Sequence, residues 1–212
     1  MDFVIYIFSV LLIVFSSMVL HEVTHGLVAY WLGDDTAKLS GRLTLNPFRH
    51  IDPFLTIGMP LLLALGSFLG AGLPIFGGAK PVPINTTRVR GGELGFAAVA
   101  LSGPLTNFVL AFLFFALAHF SSGALSAFAY LAVQINLGFM IFNLLPIPPL
   151  DGSRVVYAIA PDFVRRAMES LERYGIMIVF LLIMFLGGLF GLLMISLIDM
   201  ILGWFTWIFG LI

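Results

Sequence analysis

Apolar residues gather in four long stretches of this chain, 3–32, 53–79, 94–150 and 174–212, with polar islands between them. Three islands hold nearly all the charge. The first contains Asp34, Asp35, Lys38, Arg42, Arg49 and Asp52, and the second Lys80, Arg88, Arg90 and Glu93. The third runs from Asp151 to Arg173, and Asp2, Glu22 and Asp199 stand apart. A helix needs about 20 apolar residues to cross the hydrocarbon core of a bilayer. Stretch 3–32 therefore predicts one span. Stretch 94–150 predicts two, with a turn at Ser121-Ser122-Gly123. Stretch 174–212 predicts a tight hairpin of two spans, broken near Gly187-Gly188 and Gly191.

Every Lys and Arg lies in an island, which places all three islands on the cytoplasmic side and the N-terminus outside. Stretch 53–79 then has to enter and leave by one face, and it is too short for two crossings. It reads as re-entrant, with breaks at Gly58-Met59-Pro60 and through Gly70–Pro74. Non-helical backbone at membrane depth has to be buried in protein or line a wet cavity, so this element is expected to pack on something functional. Residues 79–86 alternate β-formers with prolines. They predict either an edge strand able to receive an extended peptide through Pro81, Val82 and Pro83, or a short β-hairpin covering the helices. The expected fold is thus an all-α polytopic membrane protein of about five transmembrane helices, with a re-entrant segment and a short β-hairpin.

Composition agrees with lipid as the main solvent. Of 212 residues 60% are hydrophobic and 10% charged, against about 25% charged in ordinary soluble domains. The mean hydropathy is +1.10. A net charge of −1 gives no electrostatic case for nucleic acid. The chain has no cysteine, which excludes disulfides, thiolate metal sites and cysteine nucleophiles. The N-terminus has no basic n-region and no small-residue cleavage site, so it is expected to stay as a span rather than leave as a signal peptide. No appended soluble domain is expected.

Chemistry enters with His21-Glu22-Val23-Thr24-His25 inside the first span. Two histidines at i and i+4 share a helix face and can reach one metal, and the glutamate beside the first can reach a water at that metal. Ionisable groups at membrane depth are costly and point to function. The alternative is a polar helix face packed in a bundle. A catalytic zinc needs a third protein ligand and an open position. His50, in a basic loop, and His119, at the end of a span, read as interfacial. Asp151 stands out, because Pro146, Pro148 and Pro149 cannot continue the preceding helix and free the carboxylate to turn toward the first span. Its alternative role is to cap the following helix.

His-Glu-x-x-His followed by Asn143-x-x-Pro146-x-x-x-x-Asp151-Gly152 resembles the site-2 protease family of intramembrane metalloproteases. Gly41–Pro47, Ala79–Asn85 and Ser102–Asn107 add to the resemblance, which covers roughly residues 15–155. It implies that His21, His25 and Asp151 ligate one Zn2+ per chain and that Glu22 is the catalytic acid–base. It also implies that the substrates are transmembrane segments of other proteins, often already trimmed by a first protease. The chain would then be a single intramembrane protease domain over 1–212, with a core over 1–160 and a transmembrane hairpin over 175–212. It would be a minimal form without a PDZ or CBS domain, in the plasma membrane of a prokaryote. Asn143, near the unwound break, is a candidate donor to an oxyanion. Asn107 reads either as an interhelical hydrogen bond or as a substrate- or water-positioning group, and Asn136 as helix packing. The small residues Ser102-Gly103-Pro104 start the second span and let a backbone approach closely, here expected to be that of the histidine helix. Two further classes compete: a membrane metal-binding or transport protein, and a silent scaffold for transmembrane partners. Glu22 counts against transport, as does the lack of paired repeats. The intact ligand set counts against a scaffold.

Overall fold

The structure is a computed structural model and describes residues 3–66 and 78–210. Among the described residues four helices are long and apolar enough to cross a membrane. They are α1 (Phe3–Trp31), α4 (Gly92–Phe120), α5 (Gly123–Asn143) and α8 (Gly175–Ile208). Shorter elements lie between them. A single turn, α2 (Thr36–Leu39), a 3-10 turn (Pro47–His50) and a π-helical turn (Pro53–Gly58) lead into α3 (Met59–Gly66). Between α5 and α8 come α6 (Asp151–Ile159) and α7 (Asp162–Glu172).

Four helices stand where about five were expected, because stretch 174–212 forms one continuous helix instead of a hairpin. Gly187, Gly188 and Gly191 keep helical backbone, and a side chain added at any of them would meet nothing. Phe185, Leu186, Leu189 and Leu192 around them are exposed. A break on such a lipid-facing surface would leave peptide groups unsatisfied in hydrocarbon, and glycine alone does not force one. The turn expected at 121–123 is present: α4 stops at Phe120, and Gly123 starts α5 with φ +63°.

The expected β-hairpin is also corrected, since no strand occurs among the described residues. Residues 78–85 run without a ladder partner. Pro81 and Pro83 have no N–H to give. The N–H groups of Lys80, Val82 and Asn85 donate to the His50 carbonyl, the Glu22 carboxylate and the Asp34 carboxylate, at 2.8, 2.9 and 2.6 Å. Nor does Gly58-Met59-Pro60 break stretch 53–79, because the π turn runs directly into α3. The second break, through Gly70–Pro74, lies outside the described residues. Where the chain is described again, the Gly78 N–H donates to the Leu55 carbonyl and the Thr56 hydroxyl donates to that of Gly78.

Two buried clusters hold the bundle. Ala111, Phe115, Val133, Leu137, Ile141, Ile201 and Phe205 join α4, α5 and the far end of α8. Ala29, Val89 and Val99 join α1, α4 and the segment before α4. The near end of α8 is fixed differently. A Cβ on Gly175 would fall 2.6 Å from Pro149 Cδ, so only glycine lets this helix start against the proline turn.

Candidate metal centre

Helix α1 carries His21 and His25 one turn apart, both buried and facing α4. What they face is Gly103: a Cβ there would sit 2.6 Å from His21 Nε2 and closer still to His25 Nε2. The small-residue segment thus makes room for two imidazoles, eleven positions into α4 rather than at its start. Thr106 and Thr24 fix the same pair of helices with a hydroxyl hydrogen bond of 3.0 Å. The third group arrives from α5. That helix ends at Asn143, residues 144–150 are not helical, and Asp151 opens α6. Leu150, not Asp151, is the N-cap. Gly152 is required by the turn, since a Cβ would run into the Leu144 carbonyl.

The outer nitrogen of each imidazole has a fixed partner. His25 Nδ1–H donates to the Val99 carbonyl at 2.8 Å. For His21 the direction follows from a chain of amides. Asn136 Nδ2 donates to the Ala132 carbonyl, which only accepts, so its Oδ1 faces Asn107. Asn107 must then present Nδ2 to Asn136 and Oδ1 to His21, whose Nδ1–H donates to it at 2.7 Å. Both neutral rings therefore direct Nε2 lone pairs inward.

Those lone pairs meet a carboxylate. His21 Nε2 and His25 Nε2 are 3.0 Å apart, and Asp151 Oδ2 lies 3.2 and 3.3 Å from them. Asp151 Oδ2 is buried and receives no hydrogen bond among the described residues. Three acceptors converging on one point repel one another unless a cation sits among them. The separations are close to the edge of about 3.3 Å of a tetrahedron with arms of about 2.0 Å. Two imidazole nitrogens and one carboxylate oxygen suit zinc, whereas calcium and magnesium prefer oxygen-only shells. The group can hold a metal ion, and Gly103 and the orphaned carboxylate oxygen fit that use.

Glu22 is partly buried on the adjacent face of α1, and its Oε2 accepts the Val82 N–H. Asn107 is fully buried, with both ends of its amide engaged as described. Val82 is buried, while Pro81 and Pro83 on either side of it are exposed. Asn143 is partly buried and donates one amide hydrogen to the Phe139 carbonyl a turn back. His50 is buried, with Nε2 donating to the Thr44 carbonyl, and His119 packs on Phe120 and Phe209. Neither joins the cluster. Asp199 is exposed on α8. Sequence reasoning did not find the Val99 carbonyl, the Val82 N–H or the Asn136 relay. The first two are main-chain atoms with no residue-type signature, and Asn136 read as packing.

Fold and site together define an integral membrane protein with a histidine–carboxylate cluster, able to hold a metal ion, built on a His-Glu-x-x-His helix. The profile described as Peptidase family M50 matches residues 118–186, which include the Asn143–Asp151 motif. The protein named "Putative zinc metalloprotease YwhC" of Bacillus subtilis is 42% identical over 179 residues, covering 79% of this chain and 75% of YwhC. Rip2 of Mycolicibacterium smegmatis, named in the same words, is 34% identical over 79% of this chain and 63% of its own length. MJ0611 of Methanocaldococcus jannaschii, named likewise, is 35% identical over 73% of each chain. No solved structure gives a significant match. The chain belongs to peptidase family M50, the site-2 protease family.

Proposed function

We propose that this protein is an intramembrane zinc metalloendopeptidase that hydrolyses peptide bonds in or near transmembrane segments of other membrane proteins. The observation that carries the reading is the convergence of His21 Nε2, His25 Nε2 and Asp151 Oδ2, with Glu22 next in sequence to one of them. His21, His25 and Asp151 would hold one Zn2+. When bound there, zinc supplies Lewis acidity toward a carbonyl and lowers the pKa of a coordinated water to about 7.

The chain's own groups do the rest. Glu22 accepts a proton from the attacking water as the water oxygen adds to the scissile carbonyl carbon. It then delivers that proton to the departing amine as the C–N bond breaks. Asn143 has a second amide hydrogen beyond the one given to Phe139, and it donates to the carbonyl oxygen as negative charge develops. Asn107 and the Val99 carbonyl keep the two imidazoles in the tautomer that ligates. Exposed Pro81 and Pro83 flank the approach to Glu22 and would lie against an extended substrate. A helical substrate hides its carbonyls in backbone hydrogen bonds, so it unwinds before attack.

The test is purified protein with a transmembrane peptide. Glu22→Gln is expected to keep about one zinc per chain and to lose turnover by at least about 100-fold, in the range for a lost general base. Cleavage by Glu22→Gln at the wild-type rate would overturn the acid–base role of Glu22, and zinc binding without any cleavage by the wild type would leave the transport reading.

A further inference from the structure

Segment 78–85 makes an unusual use of its donors. Between Lys80 and Ile84 lie Pro81, Val82 and Pro83, so Val82 supplies the one backbone N–H of these three residues. That donor is aimed at the carboxylate next to the metal cluster, 2.9 Å from Glu22 Oε2. The contact is built from both sides. The two prolines fix φ on either side of Val82 and hold the segment extended. The Val82 side chain is 6% exposed and packs on α1 one turn beyond Glu22. There a Cβ on Gly26 would stand 2.9 Å from Val82 Cγ1 and 2.7 Å from Leu43 Cδ2. A Cβ at 26 would thus meet the Val82 and Leu43 side chains, so glycine there lets the segment pack closely on the helix. Lys80 and Asn85 anchor the segment on either side, on the His50 carbonyl and the Asp34 carboxylate.

We propose that the Val82 backbone N–H is the positioning group for Glu22: by holding Oε2 it leaves Oε1 to address the space between His21, His25 and Asp151. Val82 is here a positioning residue acting through Glu22, and this rests on the peptidase reading given above. A glutamate side chain turns about three bonds, and a fixed main-chain donor removes much of that freedom before substrate arrives. No side chain at 82 could do the same, which is why the device is a single amide between two prolines.

The experiment replaces that amide by an ester, Val82→α-hydroxyisovalerate, in the full-length protein by semisynthesis. The substitution keeps the side chain and removes the N–H, and it weakens the Pro81 carbonyl as an acceptor, a change the same replacement at Lys80 makes at the Ala79 carbonyl. The same change at Lys80 removes a neighbouring anchor of the same segment. With a transmembrane peptide substrate, the Val82 ester is expected to lower kcat by about 10- to 100-fold, the scale of a misplaced catalytic group. KM and zinc content should stay at wild-type values. The Lys80 ester should lower kcat by less than about threefold while lowering Tm by as much. Equal kcat losses from the two esters, or wild-type kcat in the Val82 ester, would overturn the proposal in favour of a scaffold contact. A second readout needs no turnover and is made on metal-free protein. Residues 81–83 contain one exchangeable amide, so hydrogen exchange there counts one deuteron. In Glu22→Ala that deuteron should exchange at least about tenfold faster than in wild type, and equal rates would overturn the contact. Failure of the wild type to cleave any peptide would instead remove the peptidase reading, and the exchange result would still decide the contact.

Discussion

Gly103 shows how much a single atom decides at this site. The imidazoles of His21 and His25 occupy the space where a side chain at 103 would begin. Gly103→Ala therefore adds one methyl to a position that has to hold two rings and an ion. Moving the rings breaks their outer hydrogen bonds to Asn107 and Val99, which fix the ligating tautomers. Loss of such outer partners alone costs about 10- to 100-fold in metal affinity, and displacement of the ligands adds to it. Gly103→Ala should purify with well under half the wild-type zinc by elemental analysis, with its helical circular dichroism unchanged, because alanine is a better helix former than glycine. Wild-type zinc content in this variant would mean that α4 shifts away as a body and that the close approach is not needed. The histidine pair is legible in sequence because i and i+4 are neighbours on any helix. The close approach at Ser102-Gly103-Pro104 is legible as well, but that Gly103 in particular faces both imidazoles is not, because it depends on which face of α4 meets α1.

At the scale of elements, the segment before α4 is tied to the end of α1 by Arg90, which donates to the Leu32 and Trp31 carbonyls, and by the Asp34 carboxylate. Asp34 is buried, and it accepts the Thr36 hydroxyl and amide on Oδ1 and the Asn85 amide on Oδ2. Burial alone would push this carboxyl up. The hydrogen bonds from the Thr36 hydroxyl, the Asn85 amide and the Thr36 amide, with Arg88 nearby, outweigh it and hold Asp34 below the usual carboxylate range. A carboxyl depressed in the folded state contributes stability that is fully present above its unfolded value of about 3.9. That contribution fades as pH falls through the lower folded value. Asp34→Asn turns an amide NH2 toward one of these donors, at a cost of about 1–3 kcal/mol. Its Tm in detergent should lie below wild type at pH 7, and the gap should narrow as pH drops below about 4. A gap independent of pH would assign the loss to packing instead of charge. Hydropathy alone located α1, α4 and α5 and the turn between the last two. It misplaced the end of the chain, because Gly187, Gly188 and Gly191 read as a break where continuous hydrogen bonding in lipid keeps a helix. It also read β-structure into 79–86, where the prolines and the three anchored amides leave no ladder to form.

For the whole molecule, one continuous α8 changes which side the chain ends on. With islands 34–52, 80–93 and 151–173 in the cytoplasm, α1 runs inward, α4 outward, α5 inward and α8 outward. The C-terminus then lies outside, whereas a hairpin would have returned it to the cytoplasm. Exposed Trp204 and Trp207 near the far end of α8 are placed as an interfacial aromatic belt. The arrangement also sets the depth of the chemistry. His21 is ten residues from the Trp31 end of α1, about 15 Å along the axis, or roughly half the hydrocarbon thickness. With its island on the cytoplasmic face, Asp151 would reach that depth because residues 144–150 unwind. Water is therefore expected to come from the cytoplasmic side, past Asp151, whose side chain keeps 22% exposure. The absence of native cysteine makes this directly testable, since each introduced thiol is unique. Ser40→Cys, Thr87→Cys and Ser170→Cys, all at exposed positions, should react with an impermeant maleimide only when the cytoplasmic face is open. Ser122→Cys and a cysteine appended after Ile212 should react from the outside. Labelling of positions 40 and 87 from opposite faces would make stretch 53–79 a full crossing. Labelling of position 170 and the C-terminus from the same face would overturn the single α8 span, whereas labelling of positions 40, 87 and 170 from the outside would overturn the placement of the metal centre relative to the cytoplasm.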